Sequence, residues 1–362
     1  MSAELRTTLL DILHSYVDPV LRQNWLEMDA VREIRLEPLR CHVSLVLPYP
    51  YLGVEGQIRQ DVGDLLTPHL GGLELVLGIE LAVPVTTARA QVAGLEGVKN
   101  VIAVASGKGG VGKSTTAVNL ALALSQLGAR VGMLDADIYG PSQGMMLGVA
   151  SGTRPGQIDE KTMAPVEAHG LQAMSMGFLI DEQQPMVWRG PMASGALQQL
   201  MTQTRWDNLD YLIVDMPPGT GDIQLTLAQK MPVAGAVIVT TPQDIALLDA
   251  RKGIEMFRKV DIPVLGVVEN MSLHRCSQCG HEEPIFGQGG GQRIAEAYDT
   301  LLLGQLPLAM NIRLQADGGK PTVLADPDSS EAGHYRQIAL ATAVALLERQ
   351  APAMPEFSMD DD

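Results

Sequence analysis

The hydrophobic positions change period several times along this chain. Leu5, Leu9, Leu10, Leu13 and Val17 recur at helical spacing, and Asp18-Pro19 is expected to end that helix. Apolar and polar residues then alternate over 31–36 and 41–47, which reads as a pair of strands. The helical period returns over 58–66, and 73–83 reads as a further strand. Residues 84–97 have no firm period. The pattern therefore predicts a small α/β domain over 1–85 and a linker over 86–97.

From residue 98 onward, short apolar runs alternate with helical patterns. Strands are expected at 101–105, 130–134, 171–175, 211–215, 235–240, 263–269 and 301–305. Helices are expected at 116–127, 191–203, 222–230, 243–260 and 331–349. This alternation predicts a parallel sheet with helices on both faces over 98–350, with a ligand at the carboxyl ends of the strands. The last residues, 351–362, end in Met-Asp-Asp-Asp and are expected to be a disordered acidic tail.

Composition narrows the function classes. Of the 362 residues, 46% are apolar and only 4% aromatic, which suits an α/β protein with a large core. Twenty-six basic against 42 acidic residues give a net charge of −16, which disfavours binding to nucleic acid or to an anionic membrane. Three cysteines make no closed disulfide framework. The chain start lacks the form of a signal peptide, and no apolar run is long enough to span a bilayer. A reducing cytoplasm is the expected location.

Chemistry enters at Gly107-Lys108-Gly109-Gly110-Val111-Gly112-Lys113-Ser114-Thr115, which fits the phosphate-binding loop G-x-x-x-x-G-K-[ST]. It follows an apolar run and precedes a helical pattern, as that motif requires. Backbone N–H groups of such a loop cradle phosphates, Lys113 is expected at the β- and γ-phosphates, and Ser114 at Mg²⁺. Lys108 reads either as a solvated surface lysine or as a second cation directed at a nucleotide. With Lys108 in place, the loop resembles the signature of the MinD/ParA-type ATPases, which form nucleotide-sandwich dimers.

Two acidic strand ends follow. Val131 to Asp137 ends in Asp135-Ala136-Asp137, which resembles switch I of that class. The resemblance implies that Asp137 lies near Mg²⁺ and the attacking water, with Asp135 supporting it. Tyr211 to Asp215 is an apolar run ending in an aspartate, a Walker-B strand whose carboxylate binds Mg²⁺ through water. The Pro217-Pro218-Gly219-Thr220-Gly221-Asp222 turn after it matches switch II of the class. Asn270, after the run 263–269, reads either as the reader of a purine edge or as a loop cap. The chain has no Asn-Lys-x-Asp guanine motif, so ATP is favoured.

Cys276-Ser277-Gln278-Cys279 is a short-range chelate. It reads as a redox dithiol, as a zinc site completed by His274 and His281, or as half of an iron–sulfur site completed by a second copy of the chain. Here a family resemblance becomes close. The loop with Lys108, the stretches 135–142 and 215–222, Trp188-Arg189-Gly190-Pro191-Met192, Glu269-Asn270-Met271-Ser272, Cys276-x-x-Cys279 and Ile285-Phe286-Gly287 resemble the Mrp/ApbC family of P-loop iron–sulfur cluster carriers. The resemblance covers 98–350. It implies a homodimer that binds a [4Fe–4S] cluster at Cys276 and Cys279, hydrolyses ATP, and exchanges clusters with donors and apo iron–sulfur proteins. Residues 1–85 resemble a small domain of iron–sulfur assembly proteins that carries Asp-Pro after its first helix. That family often has a cysteine in the loop after its second strand, whereas 47–52 has none, and Cys41 reads as a buried strand residue. The rival functions are a positioning ATPase, which needs a basic tail or surface, and a zinc scaffold with a vestigial nucleotide site.

Overall fold

The structure, a computed structural model, describes residues 2–86, 92–179, 190–276 and 278–349. The expectations for Trp188, Arg189 and the tail 351–362 lie outside the described residues.

The N-terminal part runs α1 (Ser2–Ser15), β1 (Val31–Leu36), β2 (Arg40–Leu47), α2 (Glu55–Leu66) and β3 (Glu74–Leu81). Strand β2 is central, antiparallel to β1 and parallel to β3. Leu9 and Leu13 of α1, Ile58, Val62 and Leu66 of α2, and Cys41, Val43, Leu45 and Leu47 of β2 form one apolar cluster with Trp25 and Tyr49. Cys41 is a buried strand residue, as its pattern predicts. The first helix departs from expectation, because it stops at Ser15 and leaves Val17 outside it and exposed. The reason is Asp18. Its buried carboxylate accepts from the backbone N–H of Val20 and Leu21, from Trp25 Nε1 and from the Tyr49 hydroxyl, so the chain turns early to bring these donors together.

The second part holds an eight-stranded sheet. In chain order its strands are β4 (Val98–Ala105), β5 (Val131–Asp135), β6 (Val166–Ala168), β7 (Leu171–Ser175), β8 (Leu209–Asp215), β9 (Val233–Thr240), β10 (Val264–Glu269) and β11 (Leu301–Gln305). Their spatial order is β11-β10-β9-β4-β8-β5-β7-β6. All seven expected strands are present and parallel. The eighth, β6, adds an edge strand that runs antiparallel to β7. His169 and Gly170 both have positive φ (51° and 81°) between them, the two-residue turn that folds a hairpin without splaying its strands.

The strands β4, β8 and β9 are apolar on both sides because helices cover both faces. Ile102, Val104, Tyr211, Ile213, Val237 and Val239 face α3 (Lys113–Gln126) and the C-terminal helix Ser330–Glu348. Val101, Ala103, Leu212, Val214, Ala236 and Ile238 face the helices Gly190–Gln203, Asp222–Lys230, Asp244–Arg258 and Gly290–Ala297. Alternate residues of one strand thus serve two separate cores. The two parts of the chain touch: Leu52 N–H donates to the Leu127 carbonyl, and Leu340 and Leu347 pack against the N-terminal cluster. Among the described residues no helix is long and apolar enough to cross a membrane.

Candidate nucleotide and thiol site

Sheet order builds the site. Strand β8 lies between β4 and β5, with Asp215 in register with both Asp135 and Val104. The phosphate-loop strand, the Walker-B aspartate and the Asp-x-Asp strand therefore end side by side.

The loop Gly107–Thr115 leaves β4 and enters α3 at Lys113. Gly110 and Gly112 have φ of 82°, the left-handed region that glycine adopts without penalty. A Cβ at Gly107 would collide with the Asp249 backbone of the helix Asp244–Arg258, so the first glycine of the motif allows that close packing. A Cβ at Gly109 or Gly110 would meet nothing within 4 Å, so this stretch of loop backbone is open to solvent. The Ser106 hydroxyl donates to the Lys108 carbonyl at 2.9 Å, and Gly219 N–H donates to the Ser106 carbonyl at 2.9 Å. The Pro217–Gly219 turn is thereby tied to the root of the loop. Val111 is buried, Ser114 and Thr115 are half-buried, and the Lys108 side chain is half-buried with no ion pair among the described residues.

Lys113 and Asp215 form a buried ion pair, with Nζ 2.5 Å from Oδ1. Lys113 Nζ also lies 3.2 Å from the Ser114 hydroxyl. Gln143, which the sequence pattern did not single out, donates from Nε2 to Asp215 Oδ2 at 2.8 Å and to the Ser114 carbonyl at 3.0 Å. Asp135 is fully buried and accepts from the N–H groups of Asp137, Ser142 and Gln143 and from the Ser175 hydroxyl. Burial, and then the neighbouring Asp215, push its carboxyl up to about 7, while the N–H donors and Lys113 oppose the rise. Asp137 is half-buried, and burial raises its pKa against the pull of Lys113. The Ser142 hydroxyl and Gln143 Oε1 are buried without a partner beside these acids. Hydroxyl, amide and carboxylate oxygens around one small volume are the donor set a hard cation such as Mg²⁺ takes, so the residues present fit that ion.

Asn270 follows β10 and is buried. Its Nδ2 donates to the Val111 carbonyl at 2.9 Å and sits against Gly112, and its Oδ1 accepts from Met271 N–H at 2.9 Å. The loop-capping reading of the sequence thus has direct geometric content. One N–H and one oxygen lone pair of the amide are left for other partners.

The cysteine loop opens six residues later. Short strands at His274–Arg275 and Glu282–Glu283 pair antiparallel, and Cys276 N–H donates to the His281 carbonyl at 2.8 Å. Gly280, with φ 72°, closes the turn. Cys276 and Cys279 are free thiols, half-buried and exposed. The backbone N–H groups of Cys279 and Gln278, and then the Cys279 thiol, donate toward the Cys276 sulfur and lower its pKa. These donors make the Cys276 thiol more acidic than that of a free cysteine. The four-ligand zinc set is not assembled: His274 Nδ1 lies 3.3 Å from the Leu308 carbonyl, and His281 is exposed. Among the described residues, no group of three or more His, Cys, Asp or Glu side chains is placed to hold an ion.

Comparison with known proteins agrees with this geometry. The model of the ParA family, described as NUBPL iron-transfer P-loop NTPase, matches residues 97–343. The iron–sulfur cluster carrier protein of Pseudomonas fragi is 68% identical over 259 residues, which cover 72% of this chain and 90% of that protein. The protein of the same description from Escherichia coli strain K12 is 50% identical over 342 residues, 94% of this chain and 92% of its own. The iron–sulfur cluster transfer protein NUBPL of Mus musculus is 53% identical over 247 residues, 68% of this chain and 77% of its own. Among solved structures, the nucleotide-binding protein of Archaeoglobus fulgidus in complex with ADP superposes with a TM-score of 0.57 at 33% identity, covering 66% of this chain and 93% of that one. With most of the chain matched, glycine loop and paired strand-end aspartates included, it belongs to the ParA family of NUBPL-type iron-transfer P-loop NTPases.

Proposed function

We propose that this chain is an ATP-hydrolysing iron–sulfur cluster carrier, which holds a [4Fe–4S] cluster between two copies of itself and passes it to apo iron–sulfur proteins. The observation that carries the reading is the Cys276/Cys279 turn. Two sulfurs arise from one turn, backbone donors favour the thiolate, and among the described residues no group of three or more His, Cys, Asp or Glu side chains completes a site around them. Two thiolates are half of the four that such a cluster takes, and a two-fold axis supplies the other half. The relatives named as cluster carriers support the cargo. A reducing compartment such as the cytoplasm suits free thiols, and the acidic composition argues against nucleic acid or membrane as partner.

In this reading Gly107–Thr115 receives the phosphates of ATP, Lys113 exchanges Asp215 for phosphate oxygens, and Ser114, Asp137 and Asp215 hold Mg²⁺. When bound, Mg²⁺ neutralises phosphate charge. Lys108 serves the nucleotide of the partner copy. The remaining N–H and lone pair of Asn270 are available to the base. Residues 1–85 form a separate docking unit, joined through 86–97 to the NTPase part at 98–350.

The test is anaerobic reconstitution, followed by iron and sulfide analysis and by mass in solution with and without ATP. About four irons and four sulfides per dimer are expected, and Cys276→Ser with Cys279→Ser should abolish them while ATP binding persists. Full reconstitution of that double variant would refute the assignment. Zinc at one per chain without iron would favour the scaffold reading.

A further inference from the structure

We infer that Asn270 and Met271 form the joint through which the nucleotide loop acts on the cysteine loop, which makes Asn270 a positioning residue for the two thiols. The inference rests on the carrier reading for its purpose, though not for its geometry.

One amide group belongs to both sites. Asn270 Nδ2 holds the Val111 carbonyl of the phosphate loop, and Oδ1 of the same side chain holds the N–H of Met271, the first residue toward the cysteines. Gly112 lies so close beneath Nδ2 that any side chain there would strike it. Displacement of the loop at Val111–Gly112 therefore moves the Asn270 amide, and with it the Met271 peptide.

Beyond the amide there is little slack. Met271 has φ of 56°, a left-handed conformation that non-glycine residues rarely adopt. Its well is narrow, so the turn passes a displacement on rather than absorbing it. Asn270 N–H donates to the Thr240 carbonyl at 2.7 Å. The N–H and the hydroxyl of Ser272 both donate to the Leu306 carbonyl, at 3.0 and 3.1 Å. Leu308 N–H donates to the Leu273 carbonyl at 2.8 Å, and His274 pairs with Leu308. Arg275 pairs with Glu282, and Cys276 N–H with the His281 carbonyl. Every residue from 270 to 276 is thus held by a hydrogen bond or a strand pairing, and the path from nucleotide loop to thiol is continuous. Contiguous hydrogen-bonded segments carry coupling between sites where they have two discrete arrangements.

The experiment uses the full-length, cluster-free protein and reads thiol chemistry rather than turnover. Alkylation of Cys276 and Cys279 by iodoacetamide is timed by peptide mass spectrometry, with and without saturating Mg-ADP, and mass in solution is followed by light scattering so that variants are compared in the same assembly state. Native protein should change its labelling rate by about fivefold or more on nucleotide binding, the low end for coupled sites. Asn270→Ala, held at saturation so that any affinity loss is removed, should change by less than about twofold. Met271→Gly keeps both bonds of Asn270 but frees the left-handed turn. It should bind nucleotide within about twofold of native affinity and still lose most of the labelling response, a split that a merely structural role would not produce. A native-sized response in Met271→Gly, or no response in native protein, overturns the joint. Iron and sulfide retention judges the carrier reading separately, because a native protein that shows the labelling response but never retains iron would sink the carrier and leave the joint standing.

Discussion

The buried pair of Lys113 and Asp215 makes the sharpest quantitative prediction. At 2.5 Å, an effective dielectric of about 20 gives an attraction of roughly 6–7 kcal/mol, much of it offset by the desolvation of both charges. Removing one partner leaves the other buried and unpaired, which costs about 3–5 kcal/mol. The two truncations should differ within that range. Lys113→Ala leaves Asp215 and Asp135 facing each other across adjacent strand ends without a cation, so it should fall near 4–5 kcal/mol. Asp215→Ala leaves Lys113 beside two other acids, Asp135 and Asp137, so it should fall near 3 kcal/mol. The double variant loses both charges together and should cost about 4–5 kcal/mol, well below the sum of the singles, giving a coupling of about 3 kcal/mol. Urea unfolding without nucleotide, followed by circular dichroism and by tryptophan fluorescence, measures all three. Adding Mg-ADP at one fixed concentration, about 100 times the dissociation constant of the native protein, should return up to about 2.7 kcal/mol to a variant that still binds it as tightly. Asp215→Ala should recover more than Lys113→Ala, since only the former keeps a cation for the phosphates. Singles that add to the double within about 0.5 kcal/mol, or equal recovery by both, would refute the reasoning.

Gly112→Ala should cost about 1–2 kcal/mol in stability for its left-handed backbone, and ADP affinity measured by calorimetry should fall about tenfold or more because the new methyl displaces Asn270. Asp18→Ala removes the acceptor of four hydrogen bonds in the N-terminal unit and should destabilise that unit by about 3 kcal/mol. Trp25 fluorescence should report this change at lower urea while ADP affinity stays native. Alkylation at neutral pH should modify Cys276 first, since its thiol pKa is lowered by N–H donors, and should reach Cys41 only in denaturant, since burial raises that thiol. Because its thiol pKa is lowered, the alkylation rate of Cys276 should decline at a lower pH than that of an unstructured cysteine, which peptide mapping across pH reads.

What could be read from the chain and what could not divides along a physical line. The phosphate loop, the Walker-B strand and the Cys-x-x-Cys turn are contiguous because each does its chemistry with neighbouring backbone. A glycine loop needs its own φ angles, and two sulfurs chelate only when one turn presents both. Six of the seven parallel strands were legible for a similar reason: a strand buried on both faces must be apolar throughout, whatever its neighbours, whereas the seventh, Leu301–Gln305, is a partly exposed edge strand marked by its run of leucines. The edge hairpin at His169-Gly170 escaped because its strand has only three residues, too few for a period, and because His-Gly is not one of the Asn-Gly, Asp-Gly or Gly-Gly pairs that mark such a turn. The early end of the first helix escaped because the donors that claim Asp18 include Tyr49, more than thirty residues away in sequence.

Gln143 and the actual contact of Asn270 were illegible for a deeper reason. Gln143 matters only because β5 and β8 are neighbours, which puts a residue beyond Asp135 within reach of Asp215. Asn270 matters only because β9 alone separates β10 from the phosphate-loop strand, so the end of β10 overlooks Val111. Neither adjacency follows from local periodicity, since the sheet order departs from chain order at both places. The motifs therefore specify which reactions this chain can support, and the strand order specifies which motifs feel one another. The proposed coupling of the thiol loop to the nucleotide loop depends on the second kind of information. A substitution that reorders or loosens those adjacencies, such as Met271→Gly, should consequently uncouple the two sites while leaving each motif intact to any scan of the sequence.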